Sequence, residues 1–419
     1  MNALRRLASL TVFLQLLNAG LRLASLCSKL LLTLYMGRYL GLTEMGTYGL
    51  VAAYVAIAIP LLGMRLDYVV SRDIIGLEPL PLTHRMRDQL VFYGINYALF
   101  AVAVAIYLLC FGGSANLGIG LFVLVLAITE SLGAFTSGNL VSLKRPILST
   151  ILFFIRSALW VFPVMAVGFF MPEFRTANFI FACWLVGVLI SLGLTAYVWR
   201  LLPWAKAMAQ PVDWAWVRRS VTVSFPIWLG AVGAAAAGNL DRFVVEHFLG
   251  RDFVGIASFY ASFVGAMIGL LQNGVMSFGY PKLVAHFKNG EQAAFKAEAW
   301  RMTWQAGLSV GIMSVAVALL VPYLGNQFGR PEFAQYAATL WLMLFGVWLK
   351  SLAESLYYVL YARHQDRPIW IGNIVLLGVS LATNIVFVPA FGFIGIGYSA
   401  LCSAIFIALW RLYWVMKYS

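Results

Sequence analysis

Twelve long apolar runs leave this chain one class of fold. A membrane-spanning helix needs about 20 predominantly apolar residues. The runs lie at roughly 10–36, 43–64, 89–111, 117–141, 147–171, 177–200, 221–249, 255–280, 301–323, 333–361, 369–390 and 393–415. They are apolar along their whole length, which a barrel strand alternating between lipid and lumen would not be. Hydrophobic residues make up 62% of the chain and charged residues 11%, more apolar surface than a soluble chain of 419 residues could bury. Arg5 and Arg6 before the first run give it the look of a signal peptide. Arg22 and Lys29 interrupt it, however, and no small-x-small cleavage site follows, so it is read as a mature span. Cys27, Cys110, Cys183 and Cys402 sit in apolar runs without metal spacing and are expected to be packing residues.

The loop charges orient the spans. With the N-terminus cytoplasmic, 20 of the 29 basic residues fall on the cytoplasmic side, Arg411 among them. Four (Arg38, Arg175, Arg251, Arg330) fall opposite, and five (Arg22, Lys29, Arg156, Arg242, Lys350) lie inside spans. The alternation holds through every loop, which predicts twelve helices with both termini cytoplasmic. The net charge of +13 is therefore an orientation signal and an attraction to anionic lipid headgroups, with no nucleic-acid partner. No outside loop exceeds about a dozen residues. The longest connections are cytoplasmic, near 65–88, 201–220 and 281–300, and the middle one carries Trp204, Trp214, Trp216, Arg218 and Arg219, as interfacial segments do.

The chain repeats itself. Tyr39-Leu40-Gly41 followed by Gly46 matches Phe248-Leu249-Gly250 followed by Gly255. Lys144-Arg145-Pro146-Ile147 likewise matches Asp366-Arg367-Pro368-Ile369. The expected fold is an all-α polytopic membrane protein with twelve transmembrane helices in two six-helix lobes, residues 1–202 and 221–419, joined by a cytoplasmic linker at 203–220. Six is even, so both lobes start from the same side and a pseudo-two-fold axis along the membrane normal relates them.

Charges inside the spans mark the functional face, since each costs about 2.5–3.5 kcal/mol at a helix centre on insertion scales. In Asn239-Leu240-Asp241-Arg242, Asn239 and Arg242 share an arc of about 80° with Ser224, Trp228, Ala231, Ala235 and Glu246. Gly230, Ala234, Ala237 and Asp241 form a neighbouring small-residue face suited to close packing. The local alternative is Arg242 satisfied by Glu246 one turn on. In the first span, Gln15, Asn18, Arg22, Ser25 and Lys29 share one face, read as a cavity wall, with snorkelling of Lys29 as the alternative. Arg156 lies about 15 Å into the fifth span. Lys350 and Glu354, one turn apart in the tenth span beside Tyr357 and Tyr361, read as a structural ion pair. Glu130 has no cation on its own helix, and Gln272 and Asn273 are mid-span. Facing lipid, five cations would cost more than about 10 kcal/mol, so they are expected to face a shared cationic cavity that suits an anionic passenger. No phosphate-binding glycine loop, zinc or haem ligand set, or nucleophile–base pair stands out, which predicts a protein that is not an enzyme and holds no cofactor or metal.

These residues carry a family resemblance over the whole chain. Asn239-Leu240-Asp241-Arg242, the Phe248-Leu249-Gly250 turn to Gly255, and Tyr260 resemble the polysaccharide-transporter branch of the multidrug/oligosaccharidyl-lipid/polysaccharide (MOP) superfamily. So do Gly37-Arg38-Tyr39-Leu40-Gly41 with Gly46 and Tyr48, Pro281 closing the eighth helix, and Asn384 with Val388-Pro389, Gly392, Gly395 and Gly397. The resemblance implies a MATE-like fold and a Wzx-type flippase in the bacterial inner membrane. Such a protein moves an undecaprenyl-diphosphate-linked oligosaccharide repeat unit, of O-antigen or another surface polysaccharide, to the periplasmic leaflet. It does so by alternating access through the central cavity. A polysaccharide polymerase and a chain-length regulator are the partners such a pathway implies. Arg22, Lys29, Arg156, Arg242 and Lys350, with Asn18 and Asn239, are the candidate head-group residues. Glu130, Asp241 and Glu354 are the candidates for coupling to a proton or sodium gradient. A cation-coupled multidrug exporter shares the architecture but would favour an acidic cavity. A lipid II flippase belongs to a branch that usually has more helices. A polysaccharide polymerase would carry large periplasmic loops.

Overall fold

A computed structural model describes residues 2–418; the side chains of residues 1–15 and 111–117, Arg5, Arg6 and Gln15 among them, lie outside the described residues. Among the described residues, twelve helices are long and apolar enough to cross a membrane. They are α1 (Leu16–Tyr39, within a helix beginning at Asn2), α2 (Leu42–Gly63), α3 (Pro79–Cys110), α4 (Gly118–Ser142), α5 (Pro146–Phe170) and α6 (Ala177–Trp199). Then follow α7 (Trp214–Leu249), α8 (Arg251–Lys288), α9 (Gln292–Phe328), α10 (Ala337–Ala362), α11 (Asp366–Phe391) and α12 (Ile394–Lys417). The chain is a multi-pass membrane protein.

Several helices outrun the apolar windows that announce them. α9 begins at Gln292 where hydropathy alone suggests 301, because Gln, Ala, Lys and Glu are strong helix formers. The extension carries the Glu298–Arg301 ion pair at 2.6 Å. Pro281 does not close α8: the helix runs through it to Lys288. All four cysteines are free thiols, and Cys27 and Cys110 are exposed, so only Cys183 and Cys402 are partly packed.

Two compact units divide the chain. The first comprises Met1–Lys29 and Tyr54–Trp228. A polar clamp holds the segment before α7. Arg87 of α3 donates from Nη1 to the carbonyls of Ala207 (2.6 Å) and Gln210 (2.5 Å) and from Nη2 to that of Pro211 (2.9 Å). Asp88 neutralises it at 2.6 Å, and both side chains are at most 5% exposed. Asp213 accepts from the Trp216 amide (2.9 Å) and pairs with Arg85 (2.9 Å). The Trp216 N–H and then Arg85 hold its carboxyl below the usual range. Arg85 and Arg87, which the loop count treats as orientation charges, thus have definite structural partners.

The second unit comprises Leu30–Ala53 and Leu229–Ser419. Here the two repeated motifs meet. Thr43 Oγ1 donates to Asp252 Oδ1 at 2.5 Å, residues separated by the repeat offset of 209. A methyl group on Gly46 would overlap the Arg251 carbonyl, and one on Gly255 would overlap the Leu42 carbonyl. The contact is reciprocal, each motif's glycine receiving the other's carbonyl. The small-residue face of α7 packs on α11 as its composition suggests: a Cβ on Gly230 would lie 2.9 Å from the Trp370 Cα. Tyr260 is fully buried and donates to the Phe333 carbonyl (2.9 Å), so this motif residue is architectural.

Candidate functional site

The site in the second unit begins with a break. α7 is helical over Trp214–Ala237, turns at 238–240, and resumes over Asp241–Leu249. Asn239 Nδ2 bonds back to the Ala235 carbonyl at 2.8 Å. The restart places Asp241 in a first helical turn, where backbone N–H groups favour a carboxylate.

The broken helix lines a cavity of about 330 Å3. Asn239, Asp241 and Arg242 reach it from α7, Lys350 from α10, Ser380 and Asn384 from α11, and Ser399 and Ser403 from α12. The rest of the wall is Ala, Gly, Val, Ile, Leu and Met. Arg242 Nη1 donates to Asn239 Oδ1 (2.8 Å), and Asn384 Nδ2 to the Ser380 carbonyl (2.8 Å). Asp241 Oδ1, Asn384 Oδ1, Ser403 Oγ and Arg242 Nε are buried and have no hydrogen-bond partner in the protein. Buried polar atoms ordinarily have partners, so four from residues lining one cavity describe a site shaped for something else. Two cations and one carboxylate line it.

Two local pairings expected from spacing are not the ones formed. Glu246 pairs with Arg251 at 2.8 Å, leaving Arg242 to Asn239. Glu354 pairs with Arg411 of α12 at 2.9 Å, not with Lys350 one turn away. Its other oxygen accepts from Gln272 at 2.9 Å. Arg411, counted with the cytoplasmic loops, is 7% exposed. A guanidinium can meet a carboxylate and a carbonyl together, and Arg411 also donates to the Ala353 carbonyl (3.1 Å). Lys350 is left to the cavity.

The first unit gathers the other candidates. α5 contains a π-turn at Ile155–Leu159 that carries Arg156. Arg156 Nη1 donates to Glu130 Oε2 (2.7 Å) and to the Glu130 carbonyl (2.8 Å). Trp184 Nε1 donates to Glu130 Oε1 (2.6 Å), and Trp160 Nε1 to the Arg156 carbonyl (3.0 Å). The two indoles stack at 5.7 Å. Gly133 makes room, since a Cβ there would lie 2.8 Å from Arg156 Cδ. Glu130 and Arg156, assigned to different roles on sequence grounds, therefore form one buried pair. Lys29 feels both charges, and it and Arg22 are exposed. Asn18 Oδ1 accepts from Thr150 Oγ1.

Sequence reasoning overlooked Arg411 and the role of Ser380, Ser399 and Ser403. A signal existed: Ser380 and Asn384, and Ser399 and Ser403, are polar pairs four residues apart in apolar spans, the spacing that puts both on one face.

No family model and no curated protein matches this sequence. Solved structures do. An inward-facing multidrug resistance MATE family transporter of the MOP superfamily aligns with a TM-score of 0.67 and 12% identity, over 96% of this chain and 94% of that one. The lipid II flippase MurJ, in an inward closed conformation, aligns at 0.70 and 12%, over 97% and 87%. The fold is that of the MOP transporters. A third MOP superfamily transporter, from Pyrococcus furiosus, described by the reverse polarity of its binding pocket, aligns at 0.61 and 11%, over 96% and 95%. In this chain the MOP fold brings Asn239, Asp241, Arg242 and Lys350 to one cavity wall and buries Glu130 against Arg156.

Proposed function

We propose that this chain is a flippase for a polyprenyl-diphosphate-linked oligosaccharide, working by alternating access in a bacterial inner membrane. The observation that carries the reading is the cavity wall of the second unit, where Arg242 and Lys350 outnumber Asp241. A diphosphate leaving water regains solvation from guanidinium and ammonium groups, whereas a cationic drug would find two like charges. The MOP-transporter fold supports transport as the activity, and the MurJ likeness is to a protein that is itself a lipid flippase. Asn18, Arg22 and Lys29 are the proposed head-group residues of the first unit taken by itself. Undecaprenyl diphosphate is the expected carrier, and a polymerase and chain-length regulator act on the product.

Asp241 is the proposed coupling carboxylate. Its Oδ1, Asn384 Oδ1 and Ser403 Oγ are unpartnered oxygens of residues lining the same cavity, the donor chemistry a proton or sodium ion uses. Neutralising Asp241 would leave two uncompensated cations, so cation binding and anion binding favour each other. Glu130 and Glu354 already hold arginines and serve as structural anions.

The deciding experiment removes the chain from its host. Loss of surface polysaccharide, with complete lipid-linked repeat units accumulating on the cytoplasmic leaflet, is the expected result. Normal polysaccharide with raised drug sensitivity would overturn it in favour of an exporter, and unpolymerised units in the periplasm would point to a polymerase.

A further inference from the structure

Past Lys350, α10 continues as a polar and aromatic strip that head-group binding leaves unused. Lys350, Glu354, Tyr357 and Tyr361 fall within about 60° on a helical projection. Glu354 lies about 12 Å from the helix end at Ala362 at 1.5 Å per residue, more than two turns in. α8 faces it with Gln272, carried on a π-turn at Gln272–Met276, and with Tyr280 further on. Such turns recur at functional sites.

The tyrosine rings form one cluster. Tyr280 lies 5.6 Å from both Tyr358 and Tyr361, and Tyr357 stacks with Tyr361 at 6.4 Å and 17°. Tyr358 donates its hydroxyl to Gln272 Oε1 (2.9 Å), and Gln272 donates in turn to Glu354 (2.9 Å). Glu354 is held by Arg411 yet remains 20% exposed, while Arg411 is only 8% exposed. Each Glu354 oxygen keeps a lone pair for another donor. An interfacial aromatic belt would spread single rings around the helices at headgroup level. Here the rings, although Tyr361 is one residue from the end of α10, touch one another and are joined through Gln272 to Glu354 further in, where polar side chains face a pathway.

We propose that this strip is a glycan subsite, contacting the uncharged, hydroxyl-rich sugar rings carried on the lipid diphosphate while the diphosphate lies toward Lys350. The inference rests on the flippase reading above. Pyranose rings have a C–H face that suits an aromatic ring and hydroxyl edges that suit acceptors. Tyr280 and Tyr361 supply the rings, and Glu354 and Gln272 accept and donate at the edge.

The test uses the full chain in nanodiscs and two probes: undecaprenyl diphosphate, and the same lipid carrying chitotriose. Wild type should bind the sugar-bearing probe about tenfold more tightly than the bare one, a margin that a pair of aromatic contacts supplies. Tyr280→Leu with Tyr361→Leu keeps bulk but removes the rings, and should erase that ratio while leaving bare-lipid affinity within about twofold. Tyr280→Phe should retain it. A wild-type ratio near one, or a ratio unchanged in the Leu variant, overturns the subsite and leaves the flippase reading standing. Binding of neither probe to wild type refutes both. Should the double variant fail to give a monodisperse peak, Tyr361→Leu alone, with a ratio lowered at least threefold, carries the test; an unchanged ratio overturns it.

Discussion

Glu130→Gln is the most direct probe of how the first unit tolerates its interior charge. Both side chains of the pair are 7% exposed. Glu130 Oε2 accepts from Arg156 and Oε1 from Trp184. Glutamine keeps the shape but turns one acceptor into a donor, so either Arg156 or Trp184 then faces an N–H group. That mismatch costs about 1–3 kcal/mol for an unmet buried donor. The guanidinium also loses its counter-charge, and breaking a buried pair from one side costs about 3–5 kcal/mol in all. The remaining bond from Arg156 to the Glu130 carbonyl sets the expectation at the lower end, about 3 kcal/mol. The assay is the reversible unfolding midpoint in mixed micelles, read by tryptophan fluorescence, for Glu130→Gln, Arg156→Met and the double variant. The double variant, with neither charge left, should recover to within about 1 kcal/mol of wild type. A Glu130→Gln protein as stable as wild type, or a double variant no better than that single, would refute the pairing argument.

Other perturbations follow from the same geometry. Arg87→Met removes three bonds to the carbonyls of Ala207, Gln210 and Pro211 and leaves Asp88 without its counter-charge; limited proteolysis should then cut the 201–213 segment at least tenfold faster, a change worth about 1.4 kcal/mol of local opening. Burial raises the Asp67 carboxyl above its ordinary range against the pull of Arg65. A raised acid favours folding below the unfolded value, near about 3.9, and loses that contribution as pH climbs through the folded value. Asp67→Asn should therefore raise the unfolding midpoint at neutral pH, with the gain fading by about pH 3.5. An equal gain at both pH values would refute the burial argument. Asp241→Asn should tighten binding of undecaprenyl diphosphate, since one charge about 6 Å away at an effective dielectric of about 20 is worth about 3 kcal/mol. It should also abolish any dependence of that binding on sodium or pH. Dependence retained in the variant would exclude Asp241 as the coupling group.

The twelve helices were legible because bilayer thickness sets a length that soluble helices rarely combine with such hydropathy. The small face of α7 was legible too, since Gly230 on it admits the α11 backbone directly. Partner choice was not. Glu354 has Lys350 at ideal spacing, yet the arginine of another helix takes it, and spacing along one helix says nothing about what crosses from the next. Glu130 looked unpaired for the same reason. The clamp at Arg87 was hidden because a loop cation reads as topology until its carbonyl partners are known. The π-turns that carry Arg156 and Gln272 leave no mark in hydropathy. The cavity was half visible: its α7 wall is a charged motif, whereas its α11 and α12 walls are serines and one asparagine, which composition counts as ordinary.

The reciprocal contact between the Gly46 and Gly255 motifs says something about ancestry. A patch that mates with its own repeat is the mark of a two-fold homodimer interface. A half-length ancestor carrying one such motif would have held both sides of the contact, so two copies could close it on each other before any gene fusion joined them. Joining two such copies would need only a connection, not a new interface. The order of the halves in the gene is correspondingly incidental: a permuted chain that begins at α7 and ends at α6 would still present Gly255 to the Leu42 carbonyl and Gly46 to that of Arg251.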